Sequence, residues 1–336
     1  MNPMFELLGI CLALAAMLAT GAMAAMLTSA LWRVFRARAE DWPAESRARL
    51  IFALRVFPAV IAVICASALL LPAYIAHEPR RAVEPVSLKL GVLAVISAAG
   101  LLLALWRGVA AWVATRRLVK DWLRVAEPVE FDQIRIPAYR LRHQFPVIAI
   151  VGAIRPKLFV ADHLFQSLTR EEMAAAIAHE SGHLAAKDNL KRAALRACRD
   201  TLAIFPCGLS LDRAWAAASE SAADEHAARG GGTVALDLAS ALVKIARLAP
   251  EGVKPTTPAS ALLIGDGADG IAQRVRRLAR VATLDNVSSC GSVFALKAWP
   301  WACFAAILIS AILLMTSPST LLAIHHVIEI VVSKLQ

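Results

Sequence analysis

Four stretches of this chain are apolar for longer than an ordinary buried helix requires. Leu7 to Trp32 and Val56 to Ala76 carry no charged residue, Leu90 to Trp106 carries none before the run resumes past Arg107 through Trp112, and Ala298 to Ile328 is the fourth. About 20 such residues cross a bilayer, so each stretch is long enough to span one. Composition agrees: 58% of the 336 residues are hydrophobic and only 18% charged, against an apolar share of roughly half in soluble domains. The first run resembles a cleavable signal peptide poorly, because the residues before it hold Glu6 and no Lys or Arg. In the last, Pro318 is expected to break the helix and leave a short amphipathic tail in which His325, His326 and Glu329 lie at the membrane interface rather than on a metal.

Charge then orients the spans. Arg33, Arg36, Arg38, Arg47, Arg49 and Arg55 crowd the link between the first two, whereas the link after the second holds only Arg80, Arg81 and Lys89. The positive-inside rule puts the first link in the cytoplasm, and the long segment between the third and fourth spans on the same side. Arg116, Arg117, Lys120 and Arg124 at one edge of that segment, with Arg274, Arg276, Arg277, Arg280 and Lys297 at the other, agree. Arg107, inside the third run, is expected to snorkel. The net charge of +10 is distributed beside apolar segments rather than gathered in one basic domain, which points to anionic lipid and not to nucleic acid. The six Cys form no C-x-x-C pair, so neither a disulfide framework nor a thiolate zinc site is indicated.

The expected organisation is therefore three transmembrane helices over residues 1–112, a domain over 113–297, and a fourth span with its tail over 298–336. The inserted domain reads as α+β, mainly α. Val129 to Tyr139 and Phe145 to Val160 favour strands and are interrupted by Pro137, Gly152 and Arg155-Pro156-Lys157, which predicts a small antiparallel sheet or hairpin. Thr169 with Glu172 forms a capping box ahead of Met173, and helical composition runs on to about Cys198. Gly230-Gly231-Gly232 marks a loop, and Ala249 to Asp269, rich in Pro, Gly and Thr, reads as a surface segment able to cover a site.

On that capped helix lies His179-Glu180-Ser181-Gly182-His183. An H-E-x-x-H pattern puts two imidazoles four residues apart on one face, able to meet one ion, with a carboxylate beside them to act as general base. A catalytic zinc needs a third protein ligand. Glu220 and Asp224, again four apart, supply a pair in which Glu220 can bind the metal while Asp224 accepts a hydrogen bond from a ligand His and fixes its tautomer. The plainer reading of that pair is an acidic patch on an Ala-rich helix.

His179-Glu-x-x-His183 followed by Glu220-x-x-x-Asp224 resembles the membrane gluzincins, a group that includes BlaR/MecR-type antirepressor peptidases, HtpX-like proteases and the CaaX prenyl endopeptidase. Gly152-Ala-Ile-Arg-Pro-Lys-Leu-Phe-Val160, Leu168-Thr-Arg-Glu-Glu-Met173 and His183-Leu-Ala-Ala-Lys-Asp-Asn-Leu190 are most similar to the BlaR/MecR-type branch. The resemblance implies one zinc per chain on His179, His183 and Glu220, Glu180 as catalytic base, and Asp224 behind a ligand. It also implies a multi-pass protein of the inner (cytoplasmic) membrane. The antirepressor peptidases carry a large sensor after the last span, whereas only a short tail follows Pro318 here, so antibiotic sensing is not implied.

Further candidates are His226, as a donor to a developing oxyanion, and Asp188, as a local hydrogen-bonding partner or a support to a ligand. His143 and His163 read as surface residues. The strand around Val147 to Val151 is expected to offer an open edge to an extended peptide. The expected partners are a protein or peptide substrate and the lipid bilayer, with a second copy of the chain or a separate sensor protein as further candidates. Two rival classes stand beside the peptidase: a catalytically idle, zinc-containing membrane regulator, and a scaffold in which the motif is accidental.

Overall fold

The computed structural model describes residues 3–77, 86–248 and 267–284, together with Leu322, His326, Glu329 and Ile330. The expected fourth span, the covering segment up to residue 266 and most of the tail lie outside the described residues.

Among the described residues, three helices are long and apolar enough to cross a membrane. Helix α1 is Pro3–Ala39. Helix α2, Ala44–Ile64, continues through a π-helical turn, Cys65–Leu70, into α3, Leu71–His77. Helix α4 is Leu88–Leu123, its start capped by the Ser87 hydroxyl, which accepts a hydrogen bond from the Leu90 amide at 3.3 Å. The helices outrun the apolar stretches. Arg33, Arg36 and Arg38 sit on the last turns of α1 and Arg47 to Arg55 on the first turns of α2, so the basic link is two helix ends joined at residues 40–43.

After α4 come four short strands: β1 Glu127–Val129, β2 Ala138–Leu141, β3 Ile148–Val151 and β4 Lys157–Ala161. Their order is β1-β2-β4-β3. The β3–β4 hairpin is antiparallel as expected, but β2 pairs with β4 in parallel, Ala138 opposite Leu158, so the sheet is mixed. The chain reaches β4 only after laying β3 at the outer edge, and this long-range pairing leaves no local turn signal.

A short α5, Leu164–Ser167, leads into α6, Arg170–Ala185. The capping box forms: the Glu172 amide donates to Thr169 Oγ1 at 3.2 Å, and the Thr169 amide to Glu172 Oε2 at 2.8 Å. Glu172 also accepts from Ser240 Oγ at 2.6 Å and Lys244 Nζ at 2.7 Å, tying the start of α6 to α9, Gly232–Leu248. The helix does not run on to Cys198. Lys187 adopts a left-handed conformation (φ 55°) and ends it, and α7, Asp188–Thr201, leaves in a new direction. Helix α8, Leu209–Ala228, and α10, Gly267–Leu284, complete the described helices of the domain.

One apolar core lies between the sheet and helices α6, α9 and α10, with Leu158, Phe159, Val160, Ala176, Ile177 and Leu238 fully enclosed. A second is shared between the long helices and the domain: Trp32, Ala39, Ala48 and Ile51 pack with Leu195, Leu211, Trp215 and Ala218. Burial at this boundary fixes α8 against α2, and α8 carries half of the candidate site.

Candidate metal centre

Helix α6 brings His179 and His183 to one face, their ring centroids 4.9 Å apart and their planes crossed at 88°. The facing helix α8 comes close enough to complete the set because Gly182 stands between the helices. A Cβ there would lie 3.1 Å from Ala223 Cα and 3.0 Å from His226 Cβ, so a larger residue would push α8 away. With that approach, Glu220 Oε2 lies 3.5 Å from His179 Nε2 and Glu220 Oε1 lies 3.5 Å from His183 Nε2. His179, His183 and Glu220 form a potential metal-ligand group among the described residues, their donor atoms within 4.8 Å of one another.

These residues fit a zinc ion. Ligands about 2.1 Å from a tetrahedral ion stand roughly 3.4 Å apart, close to the spacings between each imidazole and the carboxylate. The opposite nitrogens are already engaged. His179 Nδ1 is 3.0 Å from Asp224 Oδ1 and His183 Nδ1 is 2.8 Å from Asp188 Oδ2, so each imidazole is backed by its own carboxylate and turns Nε2 inward. This is the arrangement in which ligand histidines are oriented and made more basic. The spacing of Glu220 and Asp224 foretold one half of the pattern. Asp188 seemed off the face of His183, but the left-handed Lys187 folds the chain back and returns it.

Electrostatics follow the same plan. Burial would raise the Glu220 carboxyl, but hydrogen bonds from both imidazoles hold it well below its ordinary range. Asp224, 1% exposed, is likewise resisted by burial yet held far down by His179 and Arg274. Burial pulls His183 down while Asp188 and Glu220 push it up, to about 10. Glu180 differs: burial dominates and raises its carboxyl, only partly opposed by the two histidines. Its Oε2 accepts the Ile150 amide of β3 at 3.2 Å, which fixes the carboxylate beside the histidines.

Several participants had no reading in the sequence beyond boundary charge or loop. Arg274 of α10 donates to Asp224 through Nε at 3.1 Å and Nη2 at 2.7 Å, and its Nη1 lies 3.4 Å from Glu220 Oε2. Arg277 reaches Asp224 at 2.7 Å, and Arg192 reaches Glu220 at 3.2 Å. Asn189 donates to the carbonyls of Ile150 at 2.9 Å and Gly152 at 3.2 Å. Strand β3 is an edge strand, as expected, yet the outward amide and carbonyl of Ile150 are taken by Glu180 and Asn189. A cavity of about 60 Å³ opens beside these groups, with room for an ion and a few waters.

His226 packs over Gly182 at the α6–α8 contact and does not line that cavity; burial and Arg229 hold it below the ordinary imidazole range. His143 does not line the cavity; its ring lies 5.9 Å from the Trp122 ring.

Residues 149–250 match the family model described as Peptidase family M48. This stretch is similar to the M48 metallopeptidases. It begins in β3 and contains the whole His179, His183 and Glu220 group as well as Glu180, Asp188 and Asp224. M48 enzymes are generally zinc-dependent, in keeping with the donor set. The match is to M48 as a whole and does not single out one branch of the membrane gluzincins. Comparison with curated proteins and with solved structures gives no match. The M48-like stretch lies in the same chain as three described helices of membrane-spanning length and apolarity.

Proposed function

We propose that the protein is a membrane-embedded zinc endopeptidase that hydrolyses peptide bonds of protein substrates. One zinc is held per chain by His179 Nε2, His183 Nε2 and a Glu220 oxygen, with Glu180 as general base and Asp224 and Asp188 orienting the two imidazoles. The observation that carries the reading is the pair of carboxylates behind the histidines, which leaves both Nε2 atoms and Glu220 convergent. When bound, zinc supplies Lewis acidity that polarises the scissile carbonyl and acidifies water. Glu180 accepts the proton of the attacking water and delivers it to the leaving amine nitrogen. Burial raises its carboxyl, which suits a group that must both take and return a proton. The basic ends of α1 and α2 favour a cytoplasmic site on the inner membrane, with a fourth span over 298–328 closing the domain's other end.

Detergent-purified protein and its Glu180→Gln variant, compared for zinc content and for cleavage of casein or of the chain itself, test the reading. One zinc per chain in both, with cleavage lost only in the variant, is the expected result. Zinc without cleavage in either would favour the idle regulator. Absence of zinc in both would overturn the assignment.

A further inference from the structure

The turn between α7 and α8, residues 202–208, lies against the apolar stretches of α1 and α4 and reaches Arg55 at the inner end of α2, where a Cβ on Gly208 would stand 2.5 Å from Arg55 Nε. Leu202 packs with Leu18 and Ala25 of α1, with Phe205 and Ile96 of α4 alongside. At Gly100 of α4 a Cβ would stand 2.6 Å from the Thr201 carbonyl oxygen, so the turn needs a residue without one there. Ser29, within the uncharged run of α1, donates its hydroxyl to the Cys207 carbonyl at 2.7 Å.

Depth follows from helix rise. Along helices rising 1.5 Å per residue, Ser29 at Cys207 is roughly 6 Å from Arg33, Gly100 at Thr201 roughly 10 Å from Arg107, and Gly21 at the Leu202 side chain roughly 18 Å from Arg33, so the turn is tilted and its mean depth is about 11 Å. The centre of a hydrocarbon core about 30 Å thick lies about 15 Å below its surface. Charge completes the case. Arg55 and Arg107 interrupt the inner ends of the second and third apolar helices, and each meets an acid of the α7–α8 unit: Arg55 with Asp212 at 2.8 Å, Arg107 with Asp200 at 2.9 Å. Ionisable side chains at membrane depth persist when paired in this way. Asp200 gives the snorkelling Arg107 a partner.

The geometry points to α7 and α8 forming a re-entrant hairpin whose tip enters the inner leaflet and contacts lipid hydrocarbon through Ile204 and Leu209, 61% and 39% exposed. Backbone outside a continuous α-helix is tolerated at that depth only where its groups are satisfied, as Ser29 satisfies the carbonyl of Cys207 in the short 3-10 turn Pro206–Gly208. Exposed Arg196 and Arg199 on α7 set the limit, because their stems must bring the guanidinium groups back to the headgroups, so the hairpin dips and does not cross. Glu220 stands eleven residues along α8 from Leu209, or roughly 17 Å, which holds the metal centre near the headgroup layer and favours polypeptides already at the membrane surface.

The inference rests on the membrane-spanning reading of α1, α2 and α4, and its test separates the two. A photoreactive diazirine side chain is placed at Ile204, at Leu102 of α4 (65% exposed) or at Leu236 of α9 (51% exposed), and irradiated in sealed phospholipid vesicles. Mass spectrometry then identifies the adduct. Phospholipid adducts at 204 and 102, with water-quenched product at 236, are expected. Water-quenched product at 204 with lipid at 102 would overturn the hairpin alone, as would a crosslink from 204 to another segment of this chain, since the tip would then be covered by protein. Water at both 204 and 102 would remove the spanning reading itself.

Discussion

The two ends of α8 are held by different physics. Near Glu220 and Asp224 the contacts are short, charged and saturated: Asp224 alone meets His179, Arg274 and Arg277. Near Leu209 the helix is seated by apolar packing and the Arg55–Asp212 pair, and the adjoining end of α7 by the close approach of Gly100 to Thr201 and the Arg107–Asp200 pair. A polar network loses much when one member goes, because its partners stay buried without compensation. Seating by close packing is damaged instead by an added methyl. A ligand helix fixed at both ends in unlike ways can be probed at each end separately.

The largest effect belongs to Glu180→Gln. Cleavage should fall about 10²- to 10⁴-fold while zinc content, measured by atomic absorption, stays at one per chain. Next is Asp224. Its replacement by Asn should weaken zinc binding roughly 10- to 100-fold in a competition titration with a chelator. Replacement by Ala should cost in addition about 1–3 kcal/mol of stability, because Arg274 loses its closest buried counter-ion and keeps Glu220. If Asp224→Asn bound zinc as tightly as the parent, the carboxylate would not be orienting His179, and the contrast between the two ends would collapse.

At the other end, Gly100→Ala should destabilise the domain in detergent by about 1–3 kcal/mol, since its methyl meets the Thr201 carbonyl backbone, with zinc affinity unchanged. The smallest effect is at the start of α6. Thr169→Ala should lower stability by about 1 kcal/mol in chemical denaturation, because Glu172 keeps Ser240 and Lys244 when the cap is lost.

What could be read from the sequence divides along the same line. Helical spacing placed His179 with His183 and Glu220 with Asp224, because four-residue offsets are a local property of the backbone. It also located the capping box and the apolar helices, whose length is their own signature. Asp188 was underrated because one left-handed residue, Lys187, redirects the chain. Arg274, Arg277 and Asn189 carried no local mark: their roles depend on where α10 and β3 come to rest. The parallel pairing of β2 with β4 was hidden for the same reason. Arg55 and Arg107 looked like interfacial charges until the acids of α7 and α8 were brought beside them in three dimensions.

The hydrogen bond from Ile150 to Glu180 has a bearing on how cleavage is kept under control. A resting enzyme with a bare carboxylate and a bare sheet edge would be ready for any stray chain. Here each occupies the other. Under the proposed function, an extended peptide that paired with β3 would take over the Ile150 amide and by the same act release Glu180 for proton transfer, making admission of a substrate and arming of the base one exchange of partners.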